Sequence, residues 1–435
     1  MKAKKLVAVA AIAAAGALML SACGGPAPSA APGGSSAEPV TITWWHNATS
    51  DPLKGLWETV AKEFEASHQG VTVKVTGYQN EELQRTLIPQ ALQAGTGAPD
   101  VFMVWPGGEV ASQAKAGYLK DLTEPLADTV KNINPAVAKN WQVDGKQYGI
   151  PFTFSVEGFW YNKEQFTQAG IAAVPKTLPE LNDAVTKLKG INVAPIAVGA
   201  GDKWPAGHWW YQFALASCST ATLEKAIASH DFEDPCWVTA GQQLKAFVDT
   251  NPFQDGWLSS SGQQGADSAD GLVANGKATM QLMGGWAAGT IGSLAPDQKV
   301  PAWLGWAPMV SIPGAAGTPG IQMGGGDGWG VYKNAPDAAV ELVKYLQSDD
   351  VQKRYAVAAT AVPSNNNAKS AITDPNVLSM ADALSTAPYV QLWLDSALGP
   401  DFGDPLNSAI VNLMGGKGTP EDVVKALKDT AAKVK

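Results

Sequence analysis

The chain has 435 residues, 45% apolar and 16% charged, with 31 Lys and Arg against 40 Asp and Glu for a net charge of −9. That apolar content excludes a disordered chain, and the acidic balance without any block of basic residues excludes nucleic acid as a partner. Arg85 and Arg354 are the two arginines of the sequence, too few for a dedicated binder of anionic solutes.

In chain order, Lys2, Lys4 and Lys5 precede an uncharged run from Leu6 to Leu20. A membrane span needs about 20 apolar residues; this shorter run, behind a basic start, reads as a secretory signal. It ends Leu20-Ser21-Ala22-Cys23-Gly24, which resembles the lipobox of bacterial lipoproteins. The resemblance implies removal of residues 1–22, lipidation of Cys23 and anchoring to the outer face of the cytoplasmic membrane. Without the three leader lysines the balance is 28 basic against 40 acidic residues, or −12. Gly24 to Pro39 holds four Gly, four Pro, three Ser and four Ala, a tether with nothing to bury. The remaining stretch of about 395 residues exceeds one ordinary core and calls for two lobes. Cys218 and Cys236 are expected to pair in an oxidising compartment, the alternative being two buried thiols. The four His and three Cys form no zinc spacing, so neither metal nor cofactor is expected.

From Val40 the chain alternates. Val40–Trp45 and Val71–Val75 read as strands, and Pro52–Ser67 reads as a helix, with Leu56, Trp57, Val60, Ala61 and Phe64 on one face. A helix over Glu81–Ala94 leads to Asp100–Trp105, a continuous apolar run of the kind parallel sheets bury, and Gly107-Gly108 opens another helix. This order predicts an α/β fold of mainly parallel sheets flanked by helices. A second lobe is expected from about Pro151, with strands at Val193–Val198 and Lys277–Met283. Its helices are expected at His208–Ser217, Ala221–Ser229 and Cys236–Asp249. A strand at Gly328–Tyr332 precedes a helix at Pro336–Gln347. Two terminal helices within Asp404–Lys435 are split by Gly415-Gly416-Lys417-Gly418, the second capped by Thr419.

Four stretches in this order resemble the maltose- and oligosaccharide-binding group of extracellular solute-binding proteins, family 1. They are Ile42-Thr43-Trp44-Trp45-His46, Ala98-Pro99-Asp100-Val101-Phe102 with Trp105, Tyr148-Gly149-Ile150-Pro151 through Tyr161-Asn162-Lys163, and Ala278-Thr279-Met280 through Gly285-Trp286. The resemblance implies a two-lobed periplasmic-binding-protein fold with a hinge, the first lobe holding 40–152 and 305–355, the second 153–304 and 356–435. It further implies a monomeric, non-enzymatic carrier that closes over a neutral sugar, such as a xylo- or gluco-oligosaccharide, and delivers it to the transmembrane subunits of an ABC importer.

A sugar presents C–H faces to aromatic plates and a rim of hydroxyls to planar polar groups. The chain carries 16 Trp against 9 Tyr and 11 Phe. Trp105 ends a buried strand, where open sheets hold ligands; Trp204 is expected in a loop; Trp286 follows Gly284-Gly285, where the family places a stacking aromatic. These three are the expected plates. Trp44 and Trp57 read as core, at most one of Trp209 and Trp210 can face the cleft, and Trp329 fits either role. Among polar candidates, His46 and Asn47 end the first strand, the other reading being a cap of the next helix by Asn47 or Asp51. Glu109 lies one turn beyond Trp105, where the family carries charged ligands, without an adjacent Arg. Glu157 matches a family carboxylate. Asp327 follows three Gly, which admit a close ligand or a simple turn. Gly324–Gly328 lacks the Gly-Lys-Ser/Thr ending of a phosphate loop. Competing readings are a same-fold binder of a non-sugar solute and a secreted glycoside hydrolase, which would need two carboxylates about 5 to 10 Å apart.

Overall fold

The computed structural model describes residues 39–434; the leader, Cys23 and the tether up to Glu38 lie outside them. The first sheet forms around Val40–His46, whose inward side chains Ile42 and Trp44 are fully buried. It pairs in parallel with Val71–Gly77 and with Val101–Val104. Val101–Val104 is buried at all four positions, as its unbroken apolar run requires. The far side is antiparallel: Gly328–Val331 pairs with Val101–Val104, and Gly149–Pro151 with Gly328–Val331. The sheet is therefore mainly parallel in direction, with Gly328–Val331 the one reversed strand. The Leu53–Ser67 helix lays Leu56, Trp57, Val60, Ala61 and Phe64 onto it at helical spacing.

The second sheet runs in the order Leu304–Pro308, Gly158–Asn162, Ala278–Met283, Ala194–Ala197, and is also mixed. Leu304–Pro308 thus lies with the second sheet, whereas the expected 305–355 segment placed it with the first lobe. The core beside this sheet includes Trp209, Trp210, Phe213 and Trp237, all fully buried. Neither Trp209 nor Trp210 lines the cleft described below. The Cys218–Cys236 disulfide, with Cα atoms 5.1 Å apart, ties the end of the Trp204–Ser217 helix to the start of Cys236–Val248.

A third sheet of three short strands, Val390–Leu392, Gln322–Gly325 and Ser155–Val156, sits where the chain passes between the two larger sheets. Here the glycines of 324–326 have their reason. A Cβ on Gly324 would strike the Ser155 carbonyl, and one on Gly326 the Thr153 carbonyl. Gly324 and Gly326 thus admit the neighbouring crossover segment, and Gly325 admits the Trp393 ring. The terminal helices are Pro400–Met414 and Pro420–Lys433, the latter with a Thr419–Asp422 capping box. Among the described residues no helix is long and apolar enough to cross a membrane, and no group of three or more His, Cys, Asp or Glu could hold a metal ion.

Candidate functional site

A cavity enclosing about 1340 Å³ of empty space, part of it open to solvent, lies between the two large sheets. Five of the expected site residues line it: Asn47, Trp105, Trp204, Trp286 and Asp327. Trp105 follows the buried Val101–Val104 strand and is itself 5% exposed. Trp204 is not in a loop. It begins the Trp204–Ser217 helix, with Pro205 in the first turn, where its fixed φ suits helix entry. Almost every residue of that helix is buried, so no apolar stripe marked its start.

One helical turn after Trp204 comes His208, which also lines the cavity, and the two rings lie 5.1 Å apart. His208 stacks on Trp393 at 5.6 Å and 7° between planes, and Trp393 meets Trp286 edge-on at 5.4 Å. Trp204 and Trp286 are 6.2 Å apart. Four rings from three separate segments thus make one aromatic wall, with Trp105 as a further aromatic of the lining. Planar polar groups complete the rim: Asn47 donates through Nδ2 to Asn80 Oδ1 at 2.9 Å, and Gln79 and Gln84 lie nearby in the lining. Asn47 is not a cap: the following helix begins at Leu53, and its first-turn Gly55 amide donates to Asp51 Oδ1 at 2.9 Å.

The remaining candidates are buried and do not line the cavity. His46 is 1% exposed; its Nδ1 accepts from the Ala48 amide at 3.1 Å, and burial pulls its pKa down to about 3, so the ring is neutral. Glu157 is fully buried, held by Gln212 Nε2 at 2.9 Å and by His208 Nδ1, and so supports His208 from the rear. Glu109 does have an arginine beside it. Arg85 Nη1 donates to Glu109 Oε1 at 2.6 Å, while Gln84 Nε2 donates to the same oxygen at 2.9 Å. The other arm, Arg85 Nη2, reaches Asp395 Oδ2 at 3.1 Å, and Asn407 Nδ2 donates to that oxygen at 3.2 Å. Gln84 and Arg85 belong to a π-helical stretch, Leu83–Leu87, between two α-helical pieces, which helps aim both inward.

The charged residues of the lining are Asp51, Asp327 and Asp395, with no Lys or Arg. Asp395 is balanced by Arg85. Burial alone pushes the Asp327 carboxyl up to about 7. The cavity therefore repels anions and offers ring faces with a polar rim, which is a binding surface. Of its carboxylates, Asp395 is engaged by Arg85 and Asp51 accepts from the Gly55 amide.

The sequence pattern described as bacterial extracellular solute-binding protein matches residues 48–353. The chain belongs to that family. Among its relatives, this solute-binding protein is 25% identical over 400 residues to the diacetylchitobiose-binding protein of Streptomyces coelicolor, covering 89% of this chain and 88% of the relative. It is 26% identical over 330 residues to the multiple sugar-binding protein of Streptococcus mutans, covering 74% of each. A solved chitin oligosaccharide binding protein superposes with a TM-score of 0.81 at 25% identity, over 90% of this chain and 98% of that one. A structure solved in work on xylan utilization by Caldanaerobius polysaccharolyticus gives 0.81 at 26% identity, over 91% and 100%. The two-lobed solute-binding fold is thereby shown.

His208, Trp393, Asn80, Gln84 and Arg85 were not singled out from sequence. The one-turn spacing of Trp204 and His208 was available as a signal. Trp393 follows a three-residue strand that exists only through its pairing with Gln322–Gly325, so nothing local announces it.

Proposed function

We propose that this solute-binding protein captures a short oligosaccharide without anionic groups in the cleft between its lobes and delivers it to an ABC importer. The observation that carries the reading is the wall of Trp204, His208, Trp286 and Trp393, with Trp105 and the amide rim of Asn47, Asn80 and Gln84 in the same cavity. Ring faces desolvate sugar C–H faces, and the amides meet hydroxyls. Two relatives, the diacetylchitobiose-binding protein and the multiple sugar-binding protein, support it. The lobes are taken as those carrying the first and second sheets, closing over the ligand through the three-stranded crossover. Export and lipidation at Cys23 belong to the same proposal, as does delivery to a transmembrane permease.

The test is a thermal-shift panel of mono- and oligosaccharides on residues 40–435. Ligand at about 100 times its Kd adds about 2.7 kcal/mol of stability. One sugar class should raise the melting point, and Trp286→Ala should weaken binding about tenfold or more. No shift with any sugar refutes the carbohydrate reading. For the anchor, Cys23→Ser should release the protein from the membrane fraction into the medium.

A further inference from the structure

Arg85 ties together two parts of the molecule that have separate cores. Its neighbours Leu83 and Ile88 belong to the core beside the first sheet, as does Val110 next to Glu109. Its other partner, Asp395, is flanked by Trp393, Leu394 and Leu398, which belong to the core beside the second sheet. The Arg85–Asp395 pair therefore crosses from one lobe to the other, whereas Arg354–Glu63 and Lys203–Asp404 each stay within one. The second lobe is shaped to receive the arginine. A Cβ on Gly403, in the Pro400–Met414 helix, would lie 2.8 Å from Arg85 Cζ, so the guanidinium rests on bare backbone. Tyr211 donates to Asn407 and Asn407 to Asp395, so the carboxylate is held in place independently of Arg85. Close in sequence to the two carboxylates, Gly108 and Gly399 bring the lobes together backbone to backbone, with no side chain of their own to lock the contact.

We propose that Arg85 is a clasp, a positioning residue that selects the closed arrangement of the lobes by bridging Glu109 on the first and Asp395 on the second. This rests on the lobe-closure part of the function above and not on the kind of cargo. A buried ion pair adds little net stability, because opening returns its charges to water, but an incomplete one is costly. Closure without Arg85, or with its guanidinium misplaced, strands Asp395 in the cavity wall. The clasp thus ties closure to one geometry. Gln84 and Asp395 both line the cavity, and Gln84 donates to the Glu109 oxygen that Arg85 also holds. Cargo that meets either residue touches the clasp from inside the cleft.

The experiment is a pulsed electron resonance distance measurement without sugar. Nitroxides are attached through Lys62→Cys and Lys187→Cys, both exposed and one on each lobe, on a Cys23→Ser background so that only the introduced thiols take label. The protein with Arg85 and Gly403 intact should show a population at the separation this structure holds. Gly403→Ala exchanges glycine for a better helix former, so folding is preserved. By displacing Arg85 it should lower the ratio of the closed to the open population at least about tenfold. Arg85→Met should do the same, and Arg85→Met/Asp395→Asn, with no charge left to strand in the wall, should recover most of the closed population. Absence of the closed population before substitution, or variants whose distances match the unsubstituted protein, overturns the clasp. If maltotriose, xylotriose or diacetylchitobiose then shortens the distance while the substitutions do nothing, the clasp fails and lobe closure stands. If neither sugar nor substitution moves the distance, both fail.

Discussion

Replacing Arg85 by Met removes the one cation of a buried cluster. The side chains of Arg85, Glu109 and Asp395 are 13%, 4% and 8% exposed, so the figure of up to about 1 kcal/mol for surface ion pairs does not apply. Without the guanidinium, Glu109 keeps only Gln84, and Asp395 keeps Asn407 and the Ser396 amide. Stranding buried carboxylates in this way costs about 3 to 5 kcal/mol. Burial already holds the Glu109 carboxyl above its ordinary range, and loss of Arg85 raises it further. A carboxyl whose folded pKa is raised stabilises least once it must ionise, so stability is lost as pH rises through the folded value. The Arg85→Met deficit should therefore be smallest in acid and grow toward neutral pH. Urea unfolding of the wild type, Arg85→Met and Arg85→Met/Glu109→Gln measures it, and the double variant should recover part of the loss. A single-variant deficit below about 1 kcal/mol, or one that does not change with pH, would refute this account of the cluster.

Other outcomes follow from the same geometry. A Cβ on Gly108 would lie 2.5 Å from the Gly399 nitrogen, backbone that cannot swing aside, so Gly108→Ala should destabilise by about 1 to 3 kcal/mol in thermal unfolding. Cys218→Ser opens a loop spanning 18 positions and should cost about 3 kcal/mol by denaturant titration, a cost that reductant reproduces in the wild type. The fully buried Asp270 carboxyl is pushed up to about 7. Its share of stability is present below the ordinary carboxyl range and lost as pH rises to about 7; Asp270→Asn should flatten the stability profile across that window.

Much of the first lobe was legible because its elements obey short periods. The Leu53–Ser67 stripe and the unbroken Val101–Val104 run each report their own burial, and Trp105 and Trp286 are marked by the strand ends they follow. The Thr419 cap and Gly415–Gly418 break are equally local. What a period reports is that a face is covered, not by what. Tertiary structure alone decided that Leu304–Pro308 joins the second sheet and that both sheets turn antiparallel at one side. It alone brought Arg85 to Glu109 and, across 310 positions, to Asp395. It also buried His46, Glu109 and Glu157 away from the cavity and put His208 and Trp393 on its surface. A side chain's type limits what it can bind, but whether it meets solvent, a neighbour or a ligand is set by chain segments remote in sequence, packed to a density that leaves each one a single place.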